Sequence, residues 1–278
     1  MGEQGDDDTA GLVEIGPGNF IVQTLSEDDP LASIFTQEIT TFGMRIVGTD
    51  TVASETLRHA AQVAAEYLDN DENGVADDEE IPHSLRRRRA LLVMFANAQE
   101  RDTVGVFERM SVEGFHVQDL YADETNVPGR FDATLEEVLH LIHTAGYAQV
   151  YPMAFGPNPG TRLTAAMDIA RGGRFESVPP EYPQEAWYHY DDETCSYECM
   201  AVEYLYWGLT TILGAHTDAG RCAEIRREWE VCTSEALMMR DRALYALLTD
   251  GQYVLPTTLP DGQYTGRVIR RDEMADGP

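Results

Sequence analysis

The residues with the most chemical potential in this sequence are two glutamates and two histidines on one predicted helix, at 134–146. At about 100° per residue, Glu136, His140 and His143 lie within about 60° of one another on one helix face, and Glu137 lies beside them. Two imidazoles and a carboxylate at this spacing can converge on one ion. The segment therefore predicts a site for Zn²⁺ or another transition metal.

The same segment resembles the active-site helix of the gluzincin metallopeptidases, which carries the motif His-Glu-x-x-His. His140 matches the second histidine of that motif, Glu137 matches its general base, and Glu136 stands in place of the first histidine. The resemblance implies a zincin-like fold, with Glu203 on a later helix as the third metal ligand. It also implies that Glu137 takes a proton from a metal-bound water that attacks a peptide carbonyl.

A second candidate ion site is an acidic stretch at 69–80 that resembles the calcium-binding loop of an EF-hand. Calcium prefers oxygen ligands, which such a loop supplies at positions 1, 3, 5, 7, 9 and 12 around a glycine at position 6, here Gly74. The predicted ligands are the side chains of Asp69, Asp71, Asn73, Asp77 and Glu80 and the main-chain carbonyl of Val75. Pro82 predicts that the exiting helix is short, and the sequence holds no second loop of this kind. We therefore expect one Ca²⁺ that stabilises the fold.

Both clusters also have explanations without any ion, and the sequence leaves these open. Glutamates near a helix start interact favourably with the helix dipole, and two histidines on a polar helix face need no metal. The acidic stretch can equally form a solvated turn, and a metal could bind Glu136, His140 and His143 without any peptidase ancestry. Two functional classes follow: a peptidase-like hydrolase, or a non-catalytic calcium-binding surface or interaction protein.

The elements that must position these residues predict an α+β fold, mainly helical with a small β-sheet. A strand is expected at 42–47, and the apolar run at 90–96 fits a helix or a buried strand. Helices are expected at 54–68, 134–146, 164–171, 195–214, 223–230 and 234–248. Thr134 and Glu137 predict a capping box, and Gly146 predicts a helix end. Residues 1–18 are expected to form a disordered acidic tail, and residues 19–278 a single globular domain.

Composition narrows the functional classes further. The 278 residues include 49 aspartates and glutamates against 20 arginines and no lysine, which gives a formal net charge of −29. The lack of lysine excludes Schiff-base enzymes, P-loop NTPases and protein kinases. The negative charge argues against nucleic acid and anionic membrane as partners. No apolar run is long enough to span a bilayer.

The four cysteines indicate in which cellular compartment the protein folds. Cys195, Cys199, Cys222 and Cys232 are even in number and predict two disulfides of undetermined connectivity, with four buried thiols as the alternative. Disulfides favour an extracellular, periplasmic or cell-surface location. Residues 1–9 contain no signal-peptide segment, so we expect any export signal to lie outside this sequence. The leading hypothesis is a secreted, calcium-stabilised, metal-dependent hydrolase that acts on a peptide or protein substrate.

Overall fold

A computed structural model of the protein describes residues 20–104 and 114–266 of the chain. These residues form a mainly helical α+β fold with one five-stranded sheet, which confirms the predicted fold class. The strands, in their spatial order, are β1 (Gln23–Thr24), β2 (Gln37–Thr41), β3 (Met44–Gly48), β4 (Ala90–Phe95) and β5 (His116–Tyr121). Strands β1 to β3 are antiparallel neighbours, whereas β4 and β5 run parallel to β3. The tail predicted at 1–18 lies outside the described residues.

Strand β4 lies between β3 and β5 and is buried along its whole length. Its side chains alternate between a large core beneath the helices and a smaller core that residues 25–35 complete on the other face. A strand covered on both faces is expected to be a continuous apolar run, without alternation of polar residues. The apolar run at 90–96 is therefore a buried strand.

Helices cover the face of the sheet that carries the large core. They are α1 (Ser54–Leu68), α2 (Glu80–Arg87), α3 (Ala98–Val104), α4 (Thr134–Ile142), α5 (Ala148–Val150), α6 (Pro152–Phe155), α7 (Arg162–Ala170), α8 (Tyr197–Ile212), α9 (Ala219–Ile225), α10 (Ser234–Arg240) and α11 (Arg242–Leu248). Helices α1 and α4 pack side by side against the sheet, and α8 packs on α4. This packing brings the candidate residues of α4 and α8 together.

Helix α4 begins where expected, but both predictions about its ends are wrong. The Thr134 side chain does not cap the helix. Instead, Asp132 Oδ1 accepts the Thr134 amide hydrogen at 3.1 Å. The Glu137 side chain, which the capping box would have used, is therefore available for other contacts. The chain also does not stop at Gly146, because a π-helical segment, His143–Tyr147, leads directly into α5. A Cβ atom at Gly146 would lie 2.8 Å from Ile81 Cγ2. The glycine is needed for close packing against α2 rather than for a helix end.

Other boundaries differ from the predictions for similar local reasons. The strand predicted at 42–47 begins at Met44, because Phe42 and Gly43 both adopt positive φ in the β2–β3 turn. The helix predicted at 234–248 is broken at Asp241, whose side chain accepts the Leu244 amide hydrogen and begins α11. The helix predicted at 223–230 is α9, which ends at Ile225 before a β-bridge between Tyr188 and Trp229.

The acidic loop at 69–80 connects two helices, α1 and α2. Pro82 lies in the first turn of α2, where a backbone N–H has no helical partner, so the helix continues to Arg87 and the expected early stop is wrong. A C-terminal clasp, residues 257–265, returns to this region. The backbone amides of residues 261–263 donate to the buried Glu66 carboxylate at 2.7–2.9 Å, and Tyr264 donates to Asp69.

Two disulfides are present, as predicted, and the structure gives their connectivity. Cys195 pairs with Cys199 at the start of α8, and Cys222 pairs with Cys232 across the end of α9. The second bridge closes the segment that carries Trp229. Within residues 20–104 and 114–266, no helix combines the length and apolar character that a bilayer span requires.

Candidate metal centre

The centre of the candidate site is the imidazole of His140, which lies between carboxylates from two helices. Its Nδ1 atom is 3.4 Å from Glu137 Oε2 on the same helix, and its Nε2 atom is 3.4 Å from Glu203 Oε2 on α8. The His140 side chain is only 7% exposed. The packing of α4 on α8 therefore places a histidine and a glutamate from distant parts of the sequence in contact.

One further carboxylate of α4, that of Glu136, completes a cluster around this imidazole. One ligand atom from each of Glu136, Glu137 and His140 can be chosen so that all three lie within 4.8 Å of one another. Glu136 lies near Glu203 and Tyr206 of α8, whereas Glu137 contacts Gln118 of β5. The structure thus brings together Glu136, Glu137, His140 and Glu203, which the sequence had placed on two separate helices.

The electrostatics of the cluster are unbalanced toward negative charge. Burial and the nearby carboxylate of Glu203 raise the pKa of Glu136 to about 8. Burial alone would lower the pKa of His140, but Glu203 and Glu137 outweigh this effect and raise it well above the usual value. His140 Nε2 is nevertheless buried with no hydrogen-bond partner among the described residues. A cation bound here would relieve the repulsion and give this nitrogen a partner.

Glu137 is held by a residue that the sequence analysis did not identify. Gln118, on β5, donates from Nε2 to Glu137 Oε2 at 2.5 Å. Because β5 and α4 are packed against each other, this hydrogen bond fixes the carboxylate at the edge of the cluster. No sequence signal marks Gln118, because its role depends on the contact between a strand and a later helix.

Two tyrosines of α8 lie close to Glu203 but have different roles. The hydroxyl of Tyr204 donates to Asp241, which makes Tyr204 part of the core. The Tyr206 ring packs edge-on to His140 with centroids 5.7 Å apart, and its buried hydroxyl has no hydrogen-bond partner within the described chain. Burial and the charge of Glu136 raise the pKa of Tyr206 well above its usual value, so the hydroxyl stays protonated. Tyr206 is thus a protonated hydrogen-bond donor beside the cluster, close to the Glu136 carboxylate.

The predicted ligand His143 is not part of this cluster. It is fully buried, and its Nε2 lies 2.7 Å from the carbonyl oxygen of Phe155. Burial lowers the pKa of His143 to about 4, so the ring is neutral and donates to that carbonyl. Helical spacing correctly places His143 near His140, but the spacing cannot reveal that α6 supplies a partner for it. The Nε2 atom of His143 therefore joins the π-helical segment to α6, and its Nδ1 atom is buried without a hydrogen-bond partner among the described residues.

The acidic loop brings together three of its six predicted calcium ligands. Carboxylate oxygens of Asp69, Asp71 and Asp77 lie within 4.8 Å of one another. The Asn73 side chain instead accepts the Val75 amide hydrogen at 2.9 Å, and Glu80 is exposed at the start of α2. Gly74 adopts φ 91°, as a sharp turn at position 6 requires, and its amide donates to Asp69 at 2.7 Å. The Glu80 carboxylate is not part of the three-carboxylate group, and the ligand roles of the Asn73 side chain and the Val75 carbonyl stay predictions.

An open pocket of ≈ 350 Å³ gives access to the cluster from the side of Glu136. Glu228 also lines this pocket, and burial together with the charges of Glu203 and Asp191 raises its pKa to about 7. No protein family model, curated protein or solved structure matches the chain.

Proposed function

We propose that the protein is a metal-dependent hydrolase of peptide or other amide bonds, with the metal bound by Glu136, His140 and Glu203. The observation that carries this proposal is the buried Nε2 of His140, which has no hydrogen-bond partner in the described residues and lies 3.4 Å from Glu203. A nitrogen in this position, surrounded by carboxylates, suits a divalent cation. One imidazole with carboxylate oxygens is a donor set that suits Zn²⁺ or Mn²⁺.

The residues around the cluster have distinct roles in the proposed reaction. A bound metal would polarise the substrate carbonyl and lower the pKa of a bound water. Glu137 accepts the proton of the attacking water, and Gln118 keeps the Glu137 carboxylate in place. The protonated hydroxyl of Tyr206 lies beside the cluster, where it can donate to developing negative charge on the substrate oxygen.

We further propose that Ca²⁺ binds the loop at 69–80 and stabilises the fold. Three converging carboxylates and the position of the loop between α1 and α2 support this proposal. The clasp connects the loop to the rest of the domain through Tyr264 and Asp69. Two disulfides also support a protein that is exported from the reducing cytoplasm.

One observation favours the alternative of a non-catalytic calcium-binding surface or interaction protein. Both ring nitrogens of His140 lie 3.4 Å from a carboxylate, so a protonated His140 would form an internal ion pair with Glu137 and Glu203 without a metal. In that case the cluster serves only to hold α4 against α8. The two functions differ in one measurable property, which is bound transition metal.

Elemental analysis of the dialysed protein by mass spectrometry tests the proposal. About one equivalent of transition metal is expected in the wild type and in the control variants His83→Ala and Glu230→Gln. Both control residues are exposed and lie outside the cluster. His140→Ala and Glu203→Gln should lose the metal. Glu137→Gln should keep the metal but lose about 10²- to 10⁴-fold in peptide hydrolysis. A wild-type protein without transition metal, with unchanged properties in His140→Ala, would refute the hydrolase.

A further inference from the structure

The open pocket beside Glu136 has features that suit a positively charged group. We call this pocket the Glu228 pocket. Its lining includes Glu136, Tyr190, Trp207, Arg221 and Glu228. Trp207 lies on α8, one turn beyond the proposed ligand Glu203, so the pocket begins where the proposed metal centre ends. A group bound in this pocket is therefore adjacent to the bond that the metal centre would cleave.

The pocket has more negative charge than its own arginines neutralise. Arg221 is paired with Glu224 at 3.2 Å, and Arg227 is paired with Asp191 at 3.7 Å. Glu228 has no arginine or histidine partner at ion-pair distance in the part of the chain that the structure describes. Its carboxylate is thus the one lining group outside the proposed metal centre whose charge has no salt-bridge partner.

Glu228 is held rigidly and presents one oxygen for binding. Its Oε1 atom accepts the indole hydrogen of Trp207 at 2.8 Å, and no described residue donates to its other oxygen. Its backbone is fixed by the His189 amide, which donates to the Glu228 carbonyl at 2.7 Å. The disulfide Cys222–Cys232 closes the segment around it. A carboxylate that is already in position binds a partner without the entropy cost of ordering its own side chain.

The exposed aromatic residue of the pocket suits the same kind of ligand. Tyr190 lines the pocket and is half-buried, and aromatic faces attract ammonium and guanidinium groups. Trp207 is buried, and the Arg221 guanidinium already lies 5.9 Å from its ring centroid. A neutral or anionic group would gain less from the Tyr190 ring and would leave Glu228 without a partner. Charge and ring chemistry therefore favour the same class of ligand.

We propose that the Glu228 pocket binds an ammonium or guanidinium group of the substrate, so that peptides with a basic residue next to the cleaved bond are preferred. The cleavage preference rests on the proposed function, whereas cation binding itself does not. The carboxylate of Glu228 forms the charged contact, and Tyr190 packs against the apolar stem of the bound side chain.

Binding of small cations tests the pocket directly. We would titrate butylguanidinium, butylammonium and the neutral butyramide into the intact, disulfide-bonded protein by calorimetry. Glu228→Gln keeps an oxygen that can accept from Trp207, so the fold should be preserved, as circular dichroism would verify. A hydrogen bond to a charged group is strong enough that Glu228→Gln should weaken binding of either cation by about tenfold or more. Glu230→Gln, on the same disulfide-closed segment but outside the pocket, should bind like the wild type. Equal binding of butyramide, or unchanged cation binding in Glu228→Gln, would overturn the proposal.

Peptide cleavage then separates this proposal from the proposed function. Two N-acetylated peptides that differ only by arginine against its neutral analogue citrulline should differ by about tenfold or more in kcat/KM, and Glu228→Gln should remove the difference. A preference that instead requires a free amino terminus, and that Glu228→Gln abolishes, supports the same site with the terminal ammonium as the cation. Cation binding without any peptide cleavage would refute the proposed hydrolase activity but support the cation-binding pocket. Cleavage without any preference for a cationic side chain would refute the cation-binding pocket but support the hydrolase activity.

Discussion

Opening the disulfide Cys222–Cys232 should both destabilise the protein and weaken cation binding. This bridge joins residues ten positions apart, and the segment that it closes contains Glu228 and Trp229. The second bridge, Cys195–Cys199, joins residues only four positions apart and serves as a matched control. Each bridge has one buried and one half-buried cysteine, so replacing both cysteines of a bridge by alanine removes similar packing in the two cases.

The expected magnitudes follow from loop length. Closing a loop of ten residues removes enough entropy from the unfolded chain to stabilise the fold by about 2.7 kcal/mol, whereas a loop of four gives about 1.9 kcal/mol. The double variant Cys222→Ala/Cys232→Ala should therefore lose about 0.8 kcal/mol more than Cys195→Ala/Cys199→Ala. The larger loss corresponds to a folding equilibrium constant lower by about a hundredfold.

Urea unfolding, followed by tryptophan fluorescence, measures both free energies of unfolding. Calorimetry with butylguanidinium should show weaker binding only in the Cys222/Cys232 variant, because its open segment no longer holds Glu228 in position. If the shorter bridge contributes as much stability as the longer one, the loop-entropy explanation is wrong. If cation affinity is unchanged after the longer bridge is removed, the rigidity of the Glu228 segment has no role in binding.

Two further predictions concern the calcium loop and helix α4. Removing calcium with EGTA, from a solution that held calcium at about a hundred times its Kd, should lower the Tm of the wild type by about 5–10 °C. Asp71→Asn should abolish this shift, and the control Asp50→Asn should keep it. No shift in the wild type would refute the calcium site. Burial alone would raise the pKa of Asp132, but hydrogen bonds from His59, Thr134 and Asn126 outweigh it and lower that pKa below its usual value. Asp132 therefore stabilises the fold above its unfolded-state pKa of about 3.9, and this contribution is lost as the pH falls through the lower folded-state pKa. Urea unfolding should show Asp132→Asn less stable by about 1–3 kcal/mol at pH 7, with the difference shrinking in acid; a constant difference would contradict this reasoning.

The sequence predicted most of what depends on helical periodicity. The spacing of Glu136, Glu137 and His140 places them on neighbouring positions of one helix, and the structure has them there. The resemblance to gluzincins supplied Glu203, which indeed lies against His140. The positions of these side chains follow from the geometry of a helix and one helix–helix contact, whereas their roles as metal ligands stay predictions.

The remaining features depend on contacts that no local pattern encodes. The His143 ring hydrogen-bonds to the Phe155 carbonyl, and the Gln118 side chain donates to Glu137 across the interface between β5 and α4. The apolar run at 90–96 is ambiguous because a strand buried on both faces and a buried helix have the same hydrophobic pattern. The break at Asp241 depends on Trp187 and Tyr204, which hydrogen-bond to its side chain from distant segments.

The C-terminal clasp also has a consequence for the order in which the protein matures. Glu66 is almost fully buried, and the amides that stabilise its carboxylate lie 195–197 residues later in the chain. A nascent chain that has not yet reached residue 261 would have to bury this charge without donors, which is unfavourable. The end of α1 and the acidic loop therefore reach their final structure only after residues 257–265 have been synthesised and have docked. We therefore expect the acidic loop, although early in the sequence, to be among the last parts of this structure to form.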